Sequence, residues 1–203
     1  MQKKYSLQSQ LQQAMYQRLF SLKSTQLKVK NLKNDWKILS LKEVISKELK
    51  GKAKKEMIGN NSIYLDTAYL NGGTPTYVSA SKDVKNDDIL ILWDGSKAGT
   101  IYRGIEGALG STLKAYSPKY SSSYLYHFLK SNQNKIYFNF RTPNIPHVVK
   151  DFSTKFMIKI PSNEEQKVIG NLLDKINIYQ EKNKSRRNSL KKLKQFLLQN
   201  MFI

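Results

Sequence analysis

From Ile169 onward the chain steps by threes and fours in strict alternation: Ile169, Leu172, Ile176, Tyr179, Asn183, Arg186, Leu190, Leu193, Leu197, Asn200. Seven of these ten positions are apolar, the pattern of a coiled-coil seam. Residues 163–202 therefore read as one helix. Pro161 precedes it, Asn163 (or Ser162) caps it, and Glu164 and Glu165 suit the positive end of its dipole. About 40 residues at roughly 1.5 Å each make a rod of roughly 60 Å. A rod of that length outreaches a small domain and wants a partner helix. Asn183 and Arg186 break the stripe, either as a register device or because the seam locally faces solvent.

The end of this helix echoes the start of the chain. Leu193, Gln195, Leu197, Gln199, Met201 and Phe202 repeat the spacing of Leu11, Gln13, Met15, Gln17, Leu19 and Phe20. Residues 5–33 read as a second helical piece, with Leu7, Leu11, Met15 and Leu19 on one face. Two similar helices that bracket one module look like a unit cut from a repeating pattern. Three regions follow: an N-terminal helical tail over 1–35, a module over 36–160 and a long helix over 161–203. Leu11 and Met15, with Ile169, Leu172, Ile176, Tyr179, Asn183, Leu190, Leu193 and Leu197, are the candidate pairing residues.

The module mixes short strand-like runs with turns. Ile63–Leu65, Thr76–Ala80, Ile89–Trp93, Thr112–Tyr116, Lys135–Phe140 and Phe156–Ile160 read as strands, and Ser121–Lys130 as an amphipathic helix. Trp36 opens the module, and Leu39, Leu41, Val44 and Ile45 enter its core. The order is irregular, so the expected class is α+β, a mixed module with one curved sheet, flanked by the long helix and the shorter N-terminal one.

Lys and Arg number 35 against 15 Asp and Glu, a formal net charge of +20. A surplus of that size calls for a polyanionic partner, with nucleic acid first and an anionic membrane surface as the rival. The basic residues are spread over all three regions, so the partner is expected to run along the whole molecule. No cysteine is present and only His127 and His147 supply imidazole, which removes thiolate chemistry and histidine-rich metal sites. No apolar run spans a bilayer and Met1-Gln2-Lys3-Lys4 leads into no apolar signal core. The expected compartment is the cytoplasm.

Catalytic signatures are missing: no phosphate-binding Gly loop, no Asn-Pro-Pro-aromatic tetrapeptide and no nuclease-type carboxylate set. Asp87-Asp88 reads as the end of a turn. Polar and basic loops are plentiful instead. Asp94, Ser96 and Lys97 follow the strand Ile89–Trp93, and Arg103, Ser111 and Thr112 stand in the Gly-rich stretch beyond. Lys47, Lys50, Lys52, Lys54 and Lys55 cluster around Gly51; Thr74, Thr76 and Lys82 lie in one further segment, Arg141 and Asn144 in another. Short polar side chains and lysines of this kind bond phosphates and base edges. Taken singly, each glycine is a turn and the lysine run is a solvated face; taken together they form a candidate DNA surface. The other readings are a metal-dependent nuclease built on Asp87, Asp88 or Asp94, and a coiled-coil scaffold with incidental charge.

Three blocks carry a resemblance. They are Asp88–Gly99 with Gly107–Thr112 downstream, Asn144-Ile145-Pro146-His147, and Ile158-Lys159-Ile160-Pro161-Ser162-Asn163-Glu164-Glu165-Gln166. In this order, ahead of a heptad helix that ends Leu198-Gln199-Asn200-Met201-Phe202, the chain resembles the DNA specificity subunit of Type I restriction-modification enzymes. The resemblance implies a target recognition domain over 36–160 that reads double-stranded DNA without catalysis. It also implies a methyltransferase subunit that uses S-adenosylmethionine, a restriction subunit that uses ATP and Mg, and no cofactor in this chain. The family pattern has two recognition domains joined by two long helices. One such domain here implies a half subunit that pairs with a second copy, or with another specificity chain, through the seam.

Overall fold

A computed structural model describes residue 10, residues 13–20 and residues 36–201. Leu7, Leu11, Phe202 and most of the N-terminal segment lie outside the described residues. The elements are α1 (residues 13–20), β1 (Lys37–Ser40), α2 (Leu41–Val44), β2 (Ile45–Lys50), β3 (Ile58–Leu65), α3 (Thr67–Leu70), β4 (Tyr77–Val78), β5 (Ile89–Leu92), β6 (Ile101–Arg103), β7 (Ala108–Leu109), β8 (Leu113–Pro118), α4 (Ser122–Ser131), α5 (Gln133–Asn139), α6 (Phe152–Lys155), β9 (Met157–Ile160) and α7 (Asn163–Asn200).

The class is α+β, but the strands form three small sheets rather than one curved sheet. An antiparallel sheet runs β2-β8-β5-β6, a mixed one β4-β3-β7, and β1 pairs with β9. The strand β5 explains the layering. Its four residues, Ile89-Leu90-Ile91-Leu92, are all buried. Successive side chains point to opposite faces. Ile89 and Ile91 face a core with α4, α6 and the start of α7, whereas Leu90 and Leu92 face Leu65, Leu109 and Leu113. A strand covered on both sides reads as an unbroken apolar run.

The pairing of β1 with β9 sets Lys37 opposite Ile160, so the module leaves where it entered. Trp36 and the start of α7 are thereby neighbours, and Lys159 Nζ lies 4.9 Å from the Trp36 ring centre. Ser162 and Glu165 form a reciprocal capping box at the head of α7, with bonds of 3.3 and 3.1 Å.

Among the described residues, α7 is fully buried only in its first turns. Glu165, Gln166, Ile169, Gly170 and Leu173 are buried, and residues 188–201 are exposed throughout. A Cβ on Gly170 would stand 2.9 Å from Ser123 Cβ and Tyr124 N, so glycine is what lets α7 lie against α4. Ile169, grouped above with the pairing residues, is instead a core residue at 3% exposure. The interior stripe of this segment runs 166, 169, 170, 173, one helical face over from Leu172 and Ile176. Leu172, Tyr179, Leu190, Leu193 and Leu197 remain open to solvent, and Ile176 and Asn183 are half-buried.

The expected strand over Lys135–Phe140 is the helix α5. Strand periodicity would put Ile136, Phe138 and Phe140 on one face. The module buries Ile136 and packs Phe140, four residues apart, and leaves Phe138 84% exposed. Asn132 closes α4 and opens α5 in the same turn, so the chain remains helical.

Candidate nucleic-acid interface

Four loop segments are stitched into one edge by backbone hydrogen bonds. Gly51 N donates to Leu113 O (3.0 Å), Ala53 N to Leu109 O (3.0 Å) and Ser111 N to Ala53 O (3.2 Å). This brings Lys52, Lys54 and Lys55 beside Ser111 and Thr112. The approach is so close that a Cβ on Gly51 would fall 2.0 Å from Gly110 O. Trp93 N and Asp94 N both donate to Thr112 O, at 2.8 and 3.2 Å, which attaches the loop that carries Ser96 and Lys97. Gly95 N donates to Pro146 O (2.9 Å) and Val148 N to Trp93 O (2.9 Å), which attaches the loop with Arg141 and Asn144.

Each loop is also braced from within. Ala98 N donates to Gly95 O and Thr100 N to Lys97 O, a tight turn with Gly95 at φ 111° and Gly99 at φ 92°. Thr142 Oγ1 donates to Ile145 O, and Arg141 Nη1 to Ser96 O at 3.3 Å. Lys52, Lys54, Lys55, Ser96, Lys97, Ser111, Thr112 and Asn144 are exposed, while Asp94 and Arg141 are half-buried.

Trp93 forms the floor. Lys114 Nζ lies 3.6 Å and Lys50 Nζ 5.8 Å from its ring centre. Lys50 pairs with Asp94 at 2.6 Å and Lys114 with Glu48 at 2.7 Å. Among the described residues, the ion pairs claim these two lysines but not Lys52, Lys54, Lys55, Lys97 or Arg141. Lys114 was not singled out above, because only the register Lys50↔Lys114 of β2 on β8 brings it over the indole with Lys50.

The other candidates separate. Thr76 flanks the edge, since its carbonyl accepts from Tyr64 N (2.7 Å) and the Tyr64 ring abuts Gly110. Thr74 is exposed two residues before it. Lys82 pairs with Glu106 at 3.0 Å. Arg103 does not join the loops: it pairs across the sheet with Ile89, at the far end of β5 from Asp94. Its guanidinium lies on the Tyr126 ring and bonds Asp174 Oδ1 of α7 at 2.7 Å. Asp88 closes a turn by accepting from Lys85 N at 2.9 Å.

Asp174 is the hub of a second polar constellation, where three elements meet the rod. Its carboxylate accepts from Arg103, from Ser123 Oγ (2.7 Å) and from His127 Nε2 (2.9 Å). Burial pushes the Asp174 carboxyl up, but these three hydrogen bonds outweigh it and hold the group below its ordinary value. His127 is fully buried, and burial holds its imidazole below the ordinary value despite the Asp174 bond. The neutral ring therefore donates from Nε2 to the carboxylate and accepts at Nδ1 from the Tyr16 hydroxyl of α1, 2.9 Å away. Phe20 of α1 packs beside it, 5.5 and 5.2 Å from the ring centres of Tyr124 and Phe128. The partners of His127 lie far off in the chain, on α1 and α7, so no local pattern marks them.

The chain thus carries a mixed module with a cationic, serine- and threonine-lined loop edge, rooted on a long helix. The chain belongs to the family of the Type I restriction modification DNA specificity domain, whose model matches residues 33–192. It is 33% identical over 150 residues to the Type I restriction enzyme MjaVIII specificity subunit of Methanocaldococcus jannaschii, covering 68% of this chain and 35% of that protein. The fold matches the Type I restriction-modification S subunit from M. genitalium (TM-score 0.73, 21% identity, 95% of this chain and 53% of that one). It also matches the HsdS subunit from Thermoanaerobacter tengcongensis (TM-score 0.66, 19% identity, 96% and 50%). The chain thus spans about half the length of these solved relatives. Among the described residues, no helix is long and apolar enough to cross a membrane.

Proposed function

We propose that this chain is a non-catalytic, cytoplasmic DNA-specificity component of a Type I restriction-modification system. It reads a short stretch of double-stranded DNA with the edge formed by Lys52–Lys55, Asp94–Lys97, Ser111–Thr112 and Arg141–Asn144. The observation that carries this reading is the convergence of four loop segments on one edge whose outermost lysines form no ion pair among the described residues. Lysines on such an edge track phosphates, while Ser, Thr and Asn reach bases. Asp94, neutralised by Lys50, keeps its carboxylate from repelling the backbone.

In this reading S-adenosylmethionine serves a methyltransferase subunit that modifies adenine, and ATP with Mg serves a restriction subunit. The exposed seam Leu172, Tyr179, Leu190, Leu193 and Leu197 pairs with a second long helix, from another copy or another specificity chain. Two copies related by a twofold axis would read a bipartite, palindromic target, with the spacer set by the rods.

Salt titration of DNA binding tests the edge. Each phosphate contact contributes about 0.9 to the slope of log K against log salt. Lys97→Ala is expected to lower that slope by about one contact and to weaken every duplex alike. An unchanged slope for Lys97→Ala and for the triple change of Lys52, Lys54 and Lys55 to alanine would remove the edge from the interface. Methylome sequencing of cells with and without the chain identifies the target: a lost methylated motif is the expected result.

A further inference from the structure

One residue of the loop edge has no use on a surface that only holds phosphates. Ile145 stands in the loop that follows Arg141, with 78% of its surface in solvent. A single exposed apolar residue is ordinary on a protein surface, but this one is held out by its own backbone. Thr142 Oγ1 donates to the Ile145 carbonyl and accepts from His147 N at 3.1 Å, and Thr142 N donates to His147 O at 3.0 Å. Pro143 and Pro146 flank the pair Asn144-Ile145 and restrict the backbone on either side. Gly95 N and Val148 N tie the loop to the end of β5, through Pro146 O and Trp93 O, both at 2.9 Å. With the main chain bonded on both sides, the loop offers two exposed side chains to a ligand, Asn144 and Ile145.

We infer that Ile145 is a specificity-determining residue, which packs on the 5-methyl group of a thymine in the major groove beside the base edge that Asn144 reaches. The inference rests on the loop edge as the DNA-reading surface and adds a base to it. Asparagine bonds adenine at N6 and N7, and an apolar side chain takes up the thymine methyl in the same groove. Consecutive residues of these two kinds suit one A·T pair or two neighbouring ones. The surroundings favour DNA over a protein partner. Ile145 shares its loop with Arg141 and Asn144, and Arg141 bonds the loop of Lys97 through Ser96 O. No other large apolar side chain of the four edge segments is exposed, whereas a protein-docking patch groups several. Contact with the methyl group removes apolar surface of both partners from water. The braced loop and the stiff β-branched side chain lose little freedom in making it.

The test is competition binding by the full chain with its methyltransferase subunit. The probes are duplexes of the motif found by methylome sequencing, with each thymine in turn replaced by deoxyuridine, which lacks the 5-methyl group. In the parent chain one replacement is expected to weaken binding about fourfold, the effect of one buried methyl group. Ile145→Ala is expected to bind the thymine duplex more weakly and to lose the distinction, whereas Ile145→Val keeps it. A parent chain indifferent to every replacement overturns the inference, as does a motif without thymine or an alanine variant that discriminates as the parent does. In those cases a preference for the motif over a scrambled duplex leaves the DNA-reading role standing, and the salt slope of Lys97→Ala decides the edge independently. No preference over the scrambled duplex overturns both. An alanine variant that loses the methyltransferase subunit but keeps thymine discrimination assigns Ile145 to a protein contact and overturns the inference.

Discussion

Replacing Asp174 with alanine removes the single carboxylate on which Arg103, Ser123 and His127 converge. Arg103 and Asp174 keep 21% and 28% of their side chains in solvent, so water takes over part of the lost ion pair, which leaves about 1 kcal/mol. His127 has no such refuge. At 0% exposure its Nε2–H is left buried without an acceptor, at about 1–3 kcal/mol. The expected loss is about 2–4 kcal/mol, read as a lower urea midpoint in the fluorescence of Trp36 and Trp93. Asp174→Asn should cost much less. With the amide oxygen in place of Oδ1 it still accepts from Arg103 and from His127 Nε2, and the amide nitrogen in place of Oδ2 donates to Ser123 Oγ. An alanine variant within about 0.5 kcal/mol of the parent chain would refute the hub, and an asparagine variant as unstable as the alanine one would show that charge rather than hydrogen bonding holds it.

Three further outcomes follow from the geometry. The folded state holds His127 below its ordinary value near 6.5, so the unfolded chain takes up the proton first; stability should fall as pH drops through about 6.5, and His127→Gln should flatten that limb of a pH–stability curve. Gly51→Ala drives a Cβ into the Gly110 carbonyl, where neither backbone can yield without parting the lysine loop from Ser111; it should cost at least about 1–3 kcal/mol and weaken DNA binding in the same preparation. Arg103→Ala should lower the melting temperature yet leave the salt slope of DNA binding unchanged in folded protein, because its guanidinium faces Asp174 and not the loop edge.

Much of the helical framework was legible because helices are written in local periodicity. The acidic first turn of α7, its heptad steps and the apolar face of α4 are each complete within a few turns of chain. The fully buried strand β5 was legible for the same reason, as an apolar run bounded by turn residues. The run Lys135–Phe140 misled because alternation over six residues fits either period; the burial of Ile136 with Phe140 decides it, and that burial depends on α6 and Phe156 across the core. Arg103 misled because it sits in a Gly-rich stretch that reads as one loop system, whereas strand pairing turns it to the opposite end of β5.

Composition and spacing alone determined that a basic, cysteine-free chain carries one mixed module and a rod too long to be covered by it, since charge and periodicity are properties of the chain itself. Only the tertiary structure decided which lysines share an edge, that Lys50 and Lys114 flank Trp93, that Ile169 is spent on the core, and that His127 joins α1 to α7. Those outcomes depend on strand register and helix packing between residues tens of positions apart, where the energy lies in the meeting of surfaces and no local pattern records it.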